Sequence, residues 1–227
     1  MSRFLRVAGL VLRKDLTVEM RSLEILSTSL FFAVSCVLFF AVAFVQEGRA
    51  LDGAAAGILW IAIAFSGTLA LGRTFERERQ AETLRALLLA PADRPAIYVG
   101  KLLGIIALLL VTEIVLLPLI AYLFQAGLFV HPFWLAAVLV AGTVGYCAVG
   151  TLFAAMLVRA RSRDVLLPIL LYPITIPVII AGVRAVATLT APEFDVALAR
   201  FWLSLMAAYD VVFVTLALWS FEPLMTD

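Results

Sequence analysis

Two carboxylates stand inside apolar runs, where an acid is costly: Glu113 and Asp210. Glu113 lies eleven residues past Leu102, and Asp210 nine past Phe201. At the helical rise both fall about 14 to 17 Å deep in a bilayer, near its midplane. Ionisable groups at that depth suggest a functional site, such as a proton relay; the alternative is a hydrogen-bonded packing residue. Neither has an evident basic partner within a span, so a fixed ion pair is not expected. His131, the only histidine, precedes Pro132 at a span edge and reads as an interfacial side chain rather than a ligand. Cys36 and Cys147 fall inside apolar runs and outside any C-x-x-C pattern, and read as small packing residues. The chain contains no G-x-x-x-x-G-K-[ST] phosphate loop, no H-E-x-x-H and no metal-ligand cluster. It is therefore expected to be a non-catalytic subunit, and energy for any transport must come from an ion gradient or from another chain.

The elements that must position these groups follow from composition. With 64% hydrophobic residues, 15% charged residues and a mean hydropathy of +1.11 over 227 residues, the chain is too apolar for a soluble domain. Runs long enough to span a bilayer occur near 25 to 45, 54 to 72, 102 to 124, 133 to 158, 165 to 183 and 201 to 221. The expected fold is a single all-α membrane domain with six transmembrane helices and both termini on one side. Pro168, Pro173 and Pro177 interrupt the fifth run, although neighbouring helices can satisfy the backbone groups that proline frees.

Fourteen of the seventeen Lys and Arg residues lie in the N-terminal segment, the stretch from 73 to 101 and the turn from 159 to 164. Basic loops stay cytoplasmic, so both termini and the long charged loop are expected there. The basic start is long and no A-x-A site closes the first apolar run, which should act as an uncleaved anchor.

Two polar segments show helical faces. On a helix, Arg3, Arg6, Arg13, Lys14 and Arg21 share one arc, with Phe4, Val7, Val11, Leu12 and Leu16 outside it. Residues 1 to 24 thus read as an amphipathic elbow lying on the inner leaflet, able also to touch a cytoplasmic partner. In the 73 to 101 loop, a helix from Phe75 to Leu89 would place Glu78, Glu82 and Arg85 on one side and Leu84, Leu87 and Leu88 on the other. Pro91 and Pro95 would stop it, and Ala96 to Lys101 would lead into the third span. A docking helix should show such a face, whereas a solvated connector need not. Gly100 and Gly104 form a G-x-x-x-G pattern at the start of the third span, a possible helix-packing face.

Gly57 to Trp60, Arg73, Phe75, Glu78, the run from Thr83 through Leu87, Leu88 and Leu89 to Pro91, and Lys101 together resemble the CcmB family, permeases of the cytochrome c maturation haem exporter. The run from Leu171 through Pro173 to Pro177 resembles a second marker of that family, and Tyr209-Asp210 with Phe221-Glu222 resembles the end of many members. Where many members have Asp-Gly before the Thr/Ser-Leu pair, this chain has Ala81-Glu82, which should make the segment more continuously helical.

The resemblance implies the ABC-2 type exporter fold, in which two six-span permeases pair and each docks a cytoplasmic ABC ATPase through the elbow and the loop between the second and third spans. It further implies a bacterial inner membrane, a haem-handling membrane subunit and a haem chaperone as partners, with haem as the handled substrate, ATP on the ATPase and no cofactor on this chain. No nucleic-acid partner is expected. Two alternatives remain at this stage: an ABC-2 permease exporting a drug, lipid or polysaccharide, and a gradient-driven transporter using Glu113 and Asp210 as a proton relay.

Overall fold

A computed structural model describes residues 2–46, 49–50, 53–80, 94–160 and 162–224. They form seven helices: α1 (Ser2–Ser22), α2 (Glu24–Phe44), α3 (Ala54–Gln80), α4 (Arg94–Leu123), α5 (Pro132–Met156), α6 (Arg163–Thr190) and α7 (Val196–Leu224). Six of these, α2 to α7, are long and apolar enough to cross a membrane. A two-residue antiparallel pairing of Val45–Gln46 with Arg49–Ala50 joins α2 to α3, and a short 3-10 turn, Leu128–Val130, precedes α5.

The helix ends have local causes. Leu23 adopts a left-handed backbone, φ 52°, and so ends α1 and turns the chain into α2. Glu19 assists this turn: its Oε1 accepts the Leu26 N–H at 2.8 Å, satisfying a donor that the first turn of α2 leaves unpaired. Pro132 opens α5, where its missing N–H costs nothing. Asp195 starts α7 by accepting the N–H groups of Ala197 and Leu198 at 2.8 and 3.0 Å.

Helix α5 is the axis of the bundle and touches α3, α4, α6 and α7. Its small residues admit large neighbours. Trp60 of α3, 1% exposed, lies between Gly142 of α5 and Gly182 of α6, and a Cβ at either glycine would collide with its ring. Likewise Gly67 admits the Tyr146 ring and Gly150 admits Leu71. Such close approach supplies the van der Waals contact that holds helices together in lipid, where no hydrophobic force acts between them.

Buried hydroxyls add directional ties. Tyr146 donates to Ala64 O at 2.6 Å and shares a 2.8 Å bond with Thr68, which also bonds the Tyr172 hydroxyl at 3.1 Å. Tyr98 of α4 donates to Ala148 O of α5 at 2.9 Å. The three prolines do not break α6, which runs unbroken from Arg163 to Thr190. Tyr209 of α7 donates to Ile174 O at 2.9 Å, one turn before Pro177, fastening that stretch to its neighbour.

The spans are longer than the apolar runs that announce them. Helix α3 continues past residue 72 to Gln80, so Phe75 and Glu78 extend the second span and do not begin a separate loop helix. Helix α4 starts at Arg94, so Lys101 lies two turns inside it rather than at its entrance. In these extensions Arg77 pairs with Glu19, Glu76 with Arg163 and Lys101 with Asp15. Glu82, Leu84, Arg85, Leu87, Leu88 and Pro91, with the Ala81-Glu82 departure, lie outside the described residues.

Candidate functional site

The charged end of the bundle, where the stems of the 81–93 segment emerge from α3 and α4, is organised around α1. The face that α1 presents inward is Ala8, Val11, Asp15 and Glu19, spaced three and four apart. Its upper half is apolar and seats on Gly100 of α4, where a Cβ would stand 2.7 Å from Ala8 O and from Val11 Cβ. Gly104, one turn on, leaves room for Asp15, whose Cβ would be 3.7 Å from an added methyl. The G-x-x-x-G pattern therefore receives the elbow of the same chain.

The lower half of that face is acidic, and each acid takes a cation from one loop stem. Asp15 Oδ2 lies 2.7 Å from Lys101 Nζ of α4, and Asp15 Oδ1 lies 3.1 Å from Lys14. Lys101 is only 3% exposed, and an enclosed pair of this kind is costly to break. Glu19 Oε2 accepts from Arg77 Nη1 of α3 at 3.2 Å. The other arm of Arg77 reaches Ser22 Oγ at 3.1 Å and Glu24 Oε2 at 3.3 Å, spanning the α1–α2 turn. Asp15, Glu19, Thr74, Arg77, Lys101 and Ile105 border a cavity of about 250 Å³ within this clasp.

A second tie lies on the far side of the α3 stem. Arg163, at the start of α6, pairs with Glu76 at 3.2 Å and with Asp164 at 3.4 Å. Phe75, between the Glu76 and Thr74 positions, is 3% exposed and packs in the apolar cluster that holds Tyr98 and Phe221. Its part is to anchor the stem from within, so it offers no surface to a partner. Movement of the α4 stem strains the enclosed Lys101–Asp15 pair, whereas the Arg77–Glu24 contact to α2 stands largely in water and holds more weakly.

The expected basic arc is on the outside: Arg3, Arg6, Arg13 and Arg21 are exposed, and Lys14 is half-buried beside Asp15. That arrangement leaves cations to meet phosphate headgroups or an acidic protein surface. Asp15, Glu19, Glu76, Arg77 and Arg163 escaped a reading based on the basic arc alone. Their signal was present as two acids four residues apart, Asp15 and Glu19, in register with Ala8 and Val11 on the face away from the arginines.

The two acids of the spans take separate positions on either side of α5. Glu113 of α4 accepts a hydrogen bond from Thr143 of α5 through Oε1. Asp210 of α7 packs its Oδ1 against Gly145, where any Cβ would collide with it, and that oxygen has no hydrogen-bond partner. His131 stacks on Phe194 with ring centroids 4.0 Å apart, as an interfacial packing residue would. Among the described residues no group of His, Cys, Asp and Glu is disposed to hold a metal.

Comparison with known proteins places this geometry. Residues 6–223 match the CcmB protein family. The chain is 28% identical over 185 residues to heme exporter protein B of Haemophilus influenzae, covering 80% of this chain and 83% of that protein. It is 28% identical over 185 residues to heme exporter protein B of Rhodobacter capsulatus, covering 78% and 80%. Against heme exporter protein B of Paracoccus denitrificans it is 34% identical over 163 residues, 69% of this chain and 71% of that one. With the match running from within the elbow almost to the end of α7, the chain belongs to the CcmB family.

Proposed function

We propose that this chain is the permease subunit of an ABC transporter for haem export in c-type cytochrome biogenesis. The family and the relatives named heme exporter protein B support haem as the handled substrate and exclude neither elbow nor loop from the match. The chain is a multi-pass membrane protein with six helices of membrane length. In this reading ATP is bound and hydrolysed on a separate cytoplasmic ABC ATPase. The whole chain forms one permease domain, paired with a second copy and accompanied by a haem-handling membrane subunit and a haem chaperone, in the bacterial inner membrane with both termini cytoplasmic.

The observation that carries the coupling role is the double clasp: Lys101 and Arg77, one on each stem of the 81–93 segment, are both held by acids of α1. A push on that segment moves both stems, and the ion pairs oblige the elbow to follow. The ATPase-facing residues in this reading are Glu78, Glu82, Leu84, Arg85, Leu87 and Leu88. ATP-driven closure of the partner then biases the bundle between two packings, since a ligand acts only through its differential affinity for two states.

Complementation tests the substrate and co-purification tests the assembly. A strain lacking its own haem exporter permease should regain c-type cytochromes when this chain is expressed. Normal membrane expression with no cytochrome recovery would transfer the chain to export of another substrate. Glu78→Lys or Leu84→Asp should reduce ATPase recovery with the chain while leaving insertion intact, and unchanged recovery in both would remove the docking assignment.

A further inference from the structure

A cavity of about 460 Å³ lies between α3, the end of α5 and the start of α6, and shares no residue with the one inside the α1 clasp. From Thr68 to Glu76 it follows α3 for about 12 Å. Its walls are apolar, with Leu71 and Leu167 buried and Leu157 half-buried. Its opening is marked by Leu69 and Arg73, one turn apart on α3, both lining the cavity and both exposed. Arg73 is the first residue after the apolar run 54 to 72, so this opening stands at the membrane edge. The other arginine of the lining, Arg163, is answered by Glu76 at 3.2 Å and by Asp164 at 3.4 Å. The Arg73 side chain has no ion-pair or hydrogen-bond partner among the described residues.

An accessible cation at the membrane edge, beside an apolar slot between helices, matches an amphiphile with one anionic head. We propose that this cavity binds a phospholipid, with its phosphodiester on Arg73 and the start of an acyl chain along Leu69, Leu157 and Leu167. A free phosphate would meet Arg73 and leave the leucines uncovered, and a hydrocarbon would cover the leucines and leave Arg73 unanswered. Haem carries two carboxylates, whereas one cation of this lining is unanswered. The lipid lies beside the Arg163–Glu76 pair that ties α3 to α6, and so links the surrounding leaflet to the α3 stem. The site rests on the placement of the spans and requires neither haem nor an ATPase.

The test uses the full chain in lipid nanodiscs with two photoactivatable lipids of identical acyl chains, a phosphatidylglycerol and a diacylglycerol that lacks the phosphate. Labelling mapped by mass spectrometry to Leu69, Leu157, Leu167 or Pro168 should be about fivefold higher for phosphatidylglycerol, the factor that one basic side chain contributes at a membrane surface. Arg73→Gln should abolish that preference and Arg73→Lys should keep it. Arg6→Gln, which removes an exposed cation of α1 far from the cavity lining, should leave it unaltered. Leu157→Trp fills the slot without touching a charge and should lower phosphatidylglycerol labelling. Equal labelling by the two lipids, a preference that survives Arg73→Gln, or displacement of the label by inorganic phosphate or by haem would each overturn the site.

Discussion

Asp15 and Lys101 offer the sharpest energetic test, because their pairing is short and one partner is almost wholly enclosed. Nζ and Oδ2 are 2.7 Å apart, with the lysine side chain 3% and the aspartate 18% exposed. Asp15→Leu removes the carboxylate that meets the enclosed Lys101 ammonium at 2.7 Å, and breaking a buried pair in this way costs about 3 to 5 kcal/mol. Lys101→Met should cost less, because Asp15 retains Lys14 at 3.1 Å and more access to solvent. The double change Asp15→Leu, Lys101→Met removes both charges and replaces them with packing, so it should recover most of the loss. The assay is a double-mutant cycle on the purified full chain in detergent, read by thermal unfolding and by proteolysis after Arg21, where a released α1 becomes cleavable. Additive costs in the cycle, or an Asp15→Leu chain with native cleavage at Arg21, would refute the pairing as the hold on the elbow.

Gly100→Leu should detach the elbow by steric means, since its first added atom already meets Ala8 O and Val11 Cβ at 2.7 Å; raised cleavage after Arg21 with an intact α2–α7 core is the expected readout, and unaltered cleavage counts against the seat. Trp60→Phe should be tolerated better than its buried position suggests, because Nε1 has no hydrogen-bond partner to lose, whereas Trp60→Ala opens a cavity worth about 3 to 5 kcal/mol. Equal melting temperatures for the two variants would contradict the slot between Gly142 and Gly182. Tyr209→Phe should cost about 0.6 to 2 kcal/mol through the lost bond to Ile174 O, measured by thermal unfolding, with no effect if α6 holds its prolines unaided.

The number and order of the spans were legible because each is a run of apolar residues of bilayer length, and hydropathy needs no knowledge of neighbours. Their charged extensions were not. Arg77 and Lys101 look like loop residues until Glu19 and Asp15 are seen to meet them across 58 and 86 positions of sequence, and no local pattern encodes that pairing. The elbow itself was readable from Arg3, Arg6, Arg13, Lys14 and Arg21, yet the arc that identified it is the face turned away from the bundle. Counting residues put Glu113 and Asp210 well inside their apolar runs, and they lie within α4 and α7. Their partners, Thr143 for one and the bare Gly145 for the other, depended on the packing of α5 and so on the tertiary fold. Phe75 stands in a charged stretch, and only the fold shows its ring joining the Tyr98 cluster.

The central claim is that the two stems of the 81–93 segment, clasped to α1, receive force from an ATPase. Single cysteines placed in turn at Glu78 and Leu84 in a Cys36→Ser, Cys147→Ala chain, co-expressed with the ATPase and treated with a short bifunctional thiol reagent, measure this contact directly. A crosslink to the ATPase whose yield changes with bound ATP, and changes less when Asp15→Leu frees the elbow, is the predicted result. An ATPase that co-purifies but crosslinks at neither position, or a yield unaffected by nucleotide, would contradict it.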